Sequence, residues 1–324
     1  GGAALIGGLA DLLGGERHRG TVRRARWIAL VGAMISPLLL IADLGRPTRF
    51  HHMLRVLKIT SPLSVGTWIL SGFGLVSGAL AAKQAAEDDF ILRRESALGR
   101  LARALPGGPL AVAHVLLGLG LGGYTGVLLA ATAVPLWFAG GLLLGPLFLA
   151  TAVASGASLL ALLAVRRSKR EACEDDEARV EVEQVATIAT AAQLGLSLAR
   201  ELAVPKPISK PLHSGKWGVV YRVSAVSAGM LGPLALRLPA QVRGRRVGRA
   251  LSATASTLSL VGALAERFAL VEAGKASADD PLAYQELTRG APGEARPTAE
   301  RQARLAGASG GFKAGQVAPE RTEA

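Results

Sequence analysis

Apolar runs of about twenty residues recur along this chain, and short clusters of arginine and lysine separate them. A helix rises 1.5 Å per residue, so about twenty residues cross the ~30 Å hydrocarbon core of a bilayer. Within one such segment only a helix satisfies every backbone N–H and C=O. The pattern therefore predicts an all-α integral membrane protein. Composition agrees, since 50% of residues are hydrophobic and 19% are charged. A soluble domain carries about 25% charged residues.

Eight segments have this character: about 1–13, 25–44, 65–82, 109–131, 142–165, 182–199, 217–236 and 250–270. A bundle of about eight transmembrane helices is expected. "GGAALIGGLADLL" covers only ~20 Å, so the first helix is read as truncated. Gly118, Gly122 and Gly126 lie four apart, as do Gly74 and Gly78. Both sets predict close helix packing. After Gly290 the chain loses its apolar period. We read 1–290 as one membrane domain and 291–324 as a disordered tail.

Charge sets the sidedness. Loops 1–2, 3–4, 5–6 and 7–8 each hold five arginines or lysines, while the alternate loops hold four, none and four. The positive-inside rule places the first set in the cytoplasm and both termini outside, in a multi-pass protein of the cell inner membrane. The net charge of +13 is then a topology signal, not a nucleic-acid surface, because the basic residues sit at the ends of apolar runs.

One outer loop works against that signal. "DLGRPTRFHHMLRVLKITSPLSVGTW", residues 43–68, carries Arg46, Arg49, Arg55 and Lys58. Single basic residues there can snorkel to lipid phosphates. The loop as a whole suits partner docking: its cations can pair with acids, and Phe50, Met53 and Leu54 can supply apolar contact.

Metal centres find little support. Cys173 is the single cysteine, and a cluster usually needs four thiolates. Of His18, His51, His52, His114 and His213, only His114 lies well inside a span. His51 and His52 are adjacent and diverge by about 100° on a helix.

Polar groups inside spans are functional suspects by default. Tyr124 lies about two-thirds along the fourth segment, toward the outside. Its phenol needs an acceptor, either a ligand carbonyl or a neighbouring helix. Thr125 can assist or bond back to its own helix. Asp43 ends the second segment. It can move protons or pair with Arg46 to fix the turn before Pro47. His114 is ten residues, about 15 Å, before Tyr124. It suits proton transfer or packing, and Gln193 is read the same way. No chain of acidic residues crosses the mid-membrane, so the sequence does not by itself point to a proton pump.

Four stretches, in order, resemble the NrfD-like family of polysulfide reductase membrane subunits. They are "DLGRPTRFHHMLRVLKITSPLSVGTWIL", "GYTGVLLAATAVPLW" at 122–137, "GVVYRVSAVSAGMLGPLAL" at 218–236 and "ERFALVEAGKASADDPLAY" at 266–284. The resemblance spans about 1–285. It implies an eight-helix core that binds quinol or quinone, menaquinone or ubiquinone, near the outer face. It also implies electron exchange with a ferredoxin-like iron–sulfur partner and, beyond it, a catalytic subunit. Such subunits carry no redox metal, so no haem or iron–sulfur cluster is expected in this chain. By the same resemblance Tyr124 matches a tyrosine at the quinone pocket; Thr125 and Asp43 are candidates beside it from their own chemistry, and the 46–58 loop lies on the side where the partner would dock. Two alternatives stand beside this reading. A secondary transporter would use broken helices such as those at Pro146 and Pro233, though no internal repeat is seen. A structural anchor would have lost its quinone site.

Overall fold

The computed structural model describes residues 1–55, 57–89, 95–165 and 172–289. The expected tail at 291–324 lies outside the described residues. All regular structure among the described residues is helical. In chain order the helices are α1 (Gly2–Leu13), α2 (Arg19–Ala42), α3 (His52–Arg55), α4 (Pro62–Glu87), α5 (Ala97–Ala104), α6 (Gly107–Ala130), α7 (Pro135–Ala139) and α8 (Gly141–Val165). Then follow α9 (Ala172–Ala203), α10 (Lys206–His213), α11 (Gly215–Val219), a π-helical stretch Val220–Leu231, α12 (Gly232–Val242), α13 (Arg249–Ala278) and α14 (Pro281–Arg289).

Six of these rods are long and apolar enough to cross a membrane: α2, α4, α6, α8, the continuous rod Gly215–Val242, and α13. The chain is thus a multi-pass membrane protein. The other two expected spans differ for physical reasons. α1 has 12 residues, too few for the hydrocarbon core. α9 has 32 residues, but polar side chains interrupt its apolar character. Large side chains such as Leu38, Leu75, Leu142 and Leu202 stay exposed on the bundle's outside. In lipid an exposed leucine costs nothing, so the interior need not be the most apolar part.

Proline and glycine shape the bundle. Pro62 opens α4 and Pro135 opens α7, where a missing N–H is no loss. Pro233 acts differently. Its ring crowds the carbonyl four residues back and removes a donor. Before it the rod widens into the π register: the Gly232 N–H donates to the Ser227 carbonyl, and Ser227 Oγ donates to the Arg222 carbonyl at 2.9 Å. The widened rod reaches α13 where Gly229 meets Gly262, and a Cβ on either glycine would collide with the other's Cα.

The α6 glycines seat two neighbours. Gly118 lies against α1, while Gly122 and Gly126 lie against α8. The second expected contact face is not used among the described residues, where a Cβ at Gly74 or Gly78 would meet nothing within 4 Å.

Described residues of the basic turns meet at one end of the bundle. Arg17 pairs with Glu177 at 2.9 Å, Arg246 approaches the same carboxylate at 3.9 Å, and Arg23 pairs with Asp88 at 2.8 Å. We call this the basic end. The other, the loop end, carries residues 43–61, α3, α7 and α10. There Leu136, Leu144, Phe148, Ile208, Leu212 and Leu270 form a fully buried cluster.

Candidate functional site

Tyr124 stands near the loop end of α6. Its hydroxyl donates to the Pro62 carbonyl at 2.7 Å, which joins α6 to the start of α4. Gly66 makes room for it, because a Cβ there would fall on the tyrosine ring. The side chain is half-buried. Pro62 is also the residue at which the 43–61 stretch enters its helix.

That stretch is a surface. Arg46, Arg49, Phe50, Leu54, Arg55 and Lys58 are all exposed, while Met53 is half-buried. A 3₁₀ turn at Pro47–Arg49 and the short α3 order it, and the Lys58 N–H donates to Ser64 Oγ at 3.0 Å. Asp43 ends α2 and is exposed. Neither Asp43 nor Arg46 makes an ion pair among the described residues, so the pair considered for the turn is not formed. Thr125 is exposed beside Tyr124.

His114 lies deeper and is 2% exposed. Its Nε2 and Ser77 Oγ are 3.1 Å apart, and its ring stacks on Phe73 with centroids at 5.3 Å. This is a histidine held by packing and one hydrogen bond. No bond joins it to Tyr124. Tyr124 therefore meets the exit of the basic loop, whereas Asp43, Thr125 and His114 are not hydrogen-bonded to it.

A second polar region is represented among the sequence candidates by Gln193 alone. Along α9, Arg179, Glu183, Thr187, Thr190, Gln193, Ser197 and Arg200 follow one another at steps of three or four, and all are buried. They cover about 32 Å of helix on one face. Ser252, Ser256, Ser259 and Glu266 form a matching buried stripe on α13. The signal was present in the spacing. That spacing places the residues on one face of α9, but only packing against α13 and its neighbours shows that the face is buried.

The seam has two charged clusters. Near the basic end Arg179 Nη1 donates to Glu183 at 2.7 Å, and Ser252 Oγ donates to the same carboxylate oxygen. Arg237, with no exposure, donates to Ser256 at 2.8 Å and Ser158 at 3.4 Å. Near the loop end Gln193 Nε2 donates to Glu266 Oε2 at 2.9 Å, and Thr151 Oγ1, which donates to the Leu147 carbonyl at 2.8 Å, lies 3.0 Å from the same carboxylate oxygen. Arg200 donates to Tyr221 Oη at 3.3 Å. The Arg267 guanidinium stands 3.2 Å from the centre of the Phe148 ring.

One polar joint lies outside the membrane-spanning segments. His18 Nδ1–H donates to the Gly14 carbonyl at 2.8 Å, and Nε2 faces Glu181 Oε2 at 2.6 Å. The Gly14 bond, followed by the Glu181 carboxylate, holds the imidazole above its ordinary pKa.

Among the described residues no group of three or more histidine, cysteine, aspartate or glutamate side chains could hold a metal ion. Residues 2–278 match the family model described as "Polysulphide reductase, NrfD". Comparison with curated proteins finds no match.

Proposed function

The chain belongs to the polysulphide reductase NrfD family of membrane subunits, and from that premise we propose that it binds quinol or quinone beside Tyr124 and exchanges the electrons with an iron–sulfur partner docked on residues 46–58. One observation carries the reading. The Tyr124 hydroxyl is bonded to the residue where the exposed basic loop enters α4, so a hydrogen-bond donor lies at the foot of the docking surface. α1 and α9 are read as the remaining members of an eight-helix core. The positive-inside rule puts the loop end outside the inner membrane.

The residues present suit a quinone carbonyl. Pro62 begins α4, so its carbonyl also belongs to that helix's own hydrogen-bond ladder. Tyr124 can turn its proton to a ligand without leaving that carbonyl unpaired. A bound quinol supplies two electrons and two protons. In this reading Tyr124 orients the head group and Thr125 flanks it. Asp43, at the water boundary, receives protons, and His114 stays a packing group or a reserve on the proton route. Arg46, Arg49, Arg55 and Lys58 steer an acidic partner, and Phe50 supplies apolar contact. A catalytic subunit lies beyond the iron–sulfur protein.

The bond to Pro62 also favours a second reading, a structural anchor in which Tyr124 only ties α6 to α4. Tyr124→Phe separates the two. A quinone role predicts normal assembly with the iron–sulfur subunit and about tenfold slower quinol oxidation, the rate equivalent of about 1.4 kcal/mol. An anchor role predicts normal turnover, with a stability loss of about 0.6 kcal/mol. Steady-state quinol kinetics on the purified full-length complex decide it.

A further inference from the structure

At the basic end, Arg23, Arg24, Trp27 and Ile28 of α2 and Leu163 from the end of α8 line a pocket of about 320 Å³. Small-ligand sites occupy roughly 300–1,000 Å³. The four α2 residues fall at i, i+1, i+4 and i+5, so they share one side of that helix. The polar side-chain groups that they bring are all donors: two guanidiniums and an indole N–H. The Trp137 indole donates to the Leu270 carbonyl at 2.9 Å, whereas the Trp27 indole has no hydrogen-bond partner among the described residues. A half-buried indole N–H needs an acceptor. Arg23 meets Asp88 through Nε at 2.8 Å, and Arg24 is engaged as well. With five donors each, both guanidiniums can serve a further anion.

We propose that this pocket seats the phosphate of an anionic phospholipid from the leaflet at the basic end, with one acyl chain lying along the outer face of α2. The head of the site suits a phosphate, because guanidinium forks match its oxygens in pairs and the indole adds a third donor. The stripe below suits the chain. Trp27, Val31, Met34 and Leu38 follow one another at steps of four, three and four, and the last three are exposed. They run ~16 Å along α2. That is about half of the ~30 Å hydrocarbon core, the depth of one leaflet. Exposed apolar residues occur elsewhere on the bundle, but this stripe starts at a pocket of cations. A free phosphate would use the head of the site and leave the stripe unexplained.

The place in the fold gives the lipid a task. Ile28 packs on the buried cluster that includes Leu160 and Ala161 of α8 and Val182 and Ala186 of α9. The pocket therefore lies over the joint of α2 with these two helices, and a seated phosphate holds that joint from the water side. The inference does not rest on the quinone reading, and its test measures no electron transfer.

Tryptophan quenching tests it, on the purified full-length complex in phosphatidylcholine nanodiscs to which brominated phosphatidylglycerol or brominated phosphatidylcholine is added. The Trp27 signal is the difference between wild type and Trp27→Phe. Brominated phosphatidylglycerol should quench that signal at a many-fold lower mole fraction than brominated phosphatidylcholine. Arg23→Gln combined with Arg24→Gln should reduce this preference about thirtyfold, the equivalent of about 1 kcal/mol for each arginine. If that variant does not assemble, Arg23→Lys with Arg24→Lys serves. It keeps both charges but loses the forks, and should weaken the preference several-fold. Inorganic phosphate at matched ionic strength should leave the quenching unchanged. Competition by phosphate would make the pocket a free-phosphate site. Equal quenching by the two lipids would reduce the stripe to ordinary lipid contact, and a preference that survives the substitutions would place the lipid elsewhere. Quenching by neither lipid would mean that another protein covers the stripe. Each of these four outcomes overturns the proposal.

Discussion

Two seams of the bundle treat buried polarity in opposite ways. Between α4 and α6 the interior holds single groups, each with one hydrogen-bond partner, His114 with Ser77 and Tyr124 with Pro62, while the charged cluster on α1, α2 and α4, Arg26 with Asp11 and Gln84, stands beside the Arg23–Asp88 pair at the basic end. Around α8, α9, α12 and α13 the interior holds three arginines that are at most 5% exposed, two glutamates and a run of hydroxyls. Several of these atoms are unpartnered, including Glu266 Oε1 and the Nε atoms of Arg179, Arg200 and Arg237. Lone satisfied groups suit a fixed scaffold. A connected seam with spare donors and acceptors suits groups whose protonation or partners change. The α4–α6 seam beside the quinone candidate is therefore electrostatically quiet.

The largest expected effect tests that contrast in the charged seam. Glu183→Ala would remove the buried carboxylate that Arg179 and Ser252 share, at a cost of about 3–5 kcal/mol. Thermal unfolding of the complex in detergent should show a large fall or failed assembly. Ser77→Ala, which removes the partner of His114, should cost only about 0.6 kcal/mol. Equal losses from the two variants would break the comparison.

An intermediate effect comes from glycine. A Cβ at Gly126 would run into the Leu144 carbonyl, the contact that joins the two seams. Gly126→Ala should destabilise by about 1–3 kcal/mol, the usual penalty of overpacking. Gly78→Ala meets nothing among the described residues and should leave the unfolding midpoint of the isolated subunit nearly unchanged. A marked loss in Gly78→Ala confined to the assembled complex would show that this face packs on another subunit.

The smallest effect concerns the basic end, where His18 ties the α1–α2 turn to α9. Its folded pKa is raised, so the charged form contributes stability that is fully present below the ordinary value of 6.5. That contribution is lost as pH rises through the higher folded value. His18→Asn should flatten this part of the pH dependence, measured as unfolding midpoint against pH. An unchanged slope would remove His18 from the joint.

Much of the architecture was legible in the residues. The second segment, expected at 25–44, is observed at Arg19–Ala42, and the fifth, expected at 142–165, at Gly141–Val165. Length and hydropathy decide these because lipid leaves the backbone no other solution. The site was less legible. Tyr124 was found as a phenol that needs an acceptor, but its acceptor lies 62 residues away in sequence. Asp43 and Arg46 were close enough in sequence to pair, yet both stay exposed in the turn.

The sequence by itself determined a helical membrane chain, its family, the gathering of basic residues between alternate segments and the basic loop before α4. All are read from the order of residues, because transfer into lipid acts on each segment separately. Only the tertiary structure decided which glycine face is used, where the Tyr124 proton points and that Glu266, Gln193 and Thr151 meet. Those contacts join residues 73 and 115 positions apart. Their energies arise only when helices exclude both water and lipid from the same place, and no single segment carries that information.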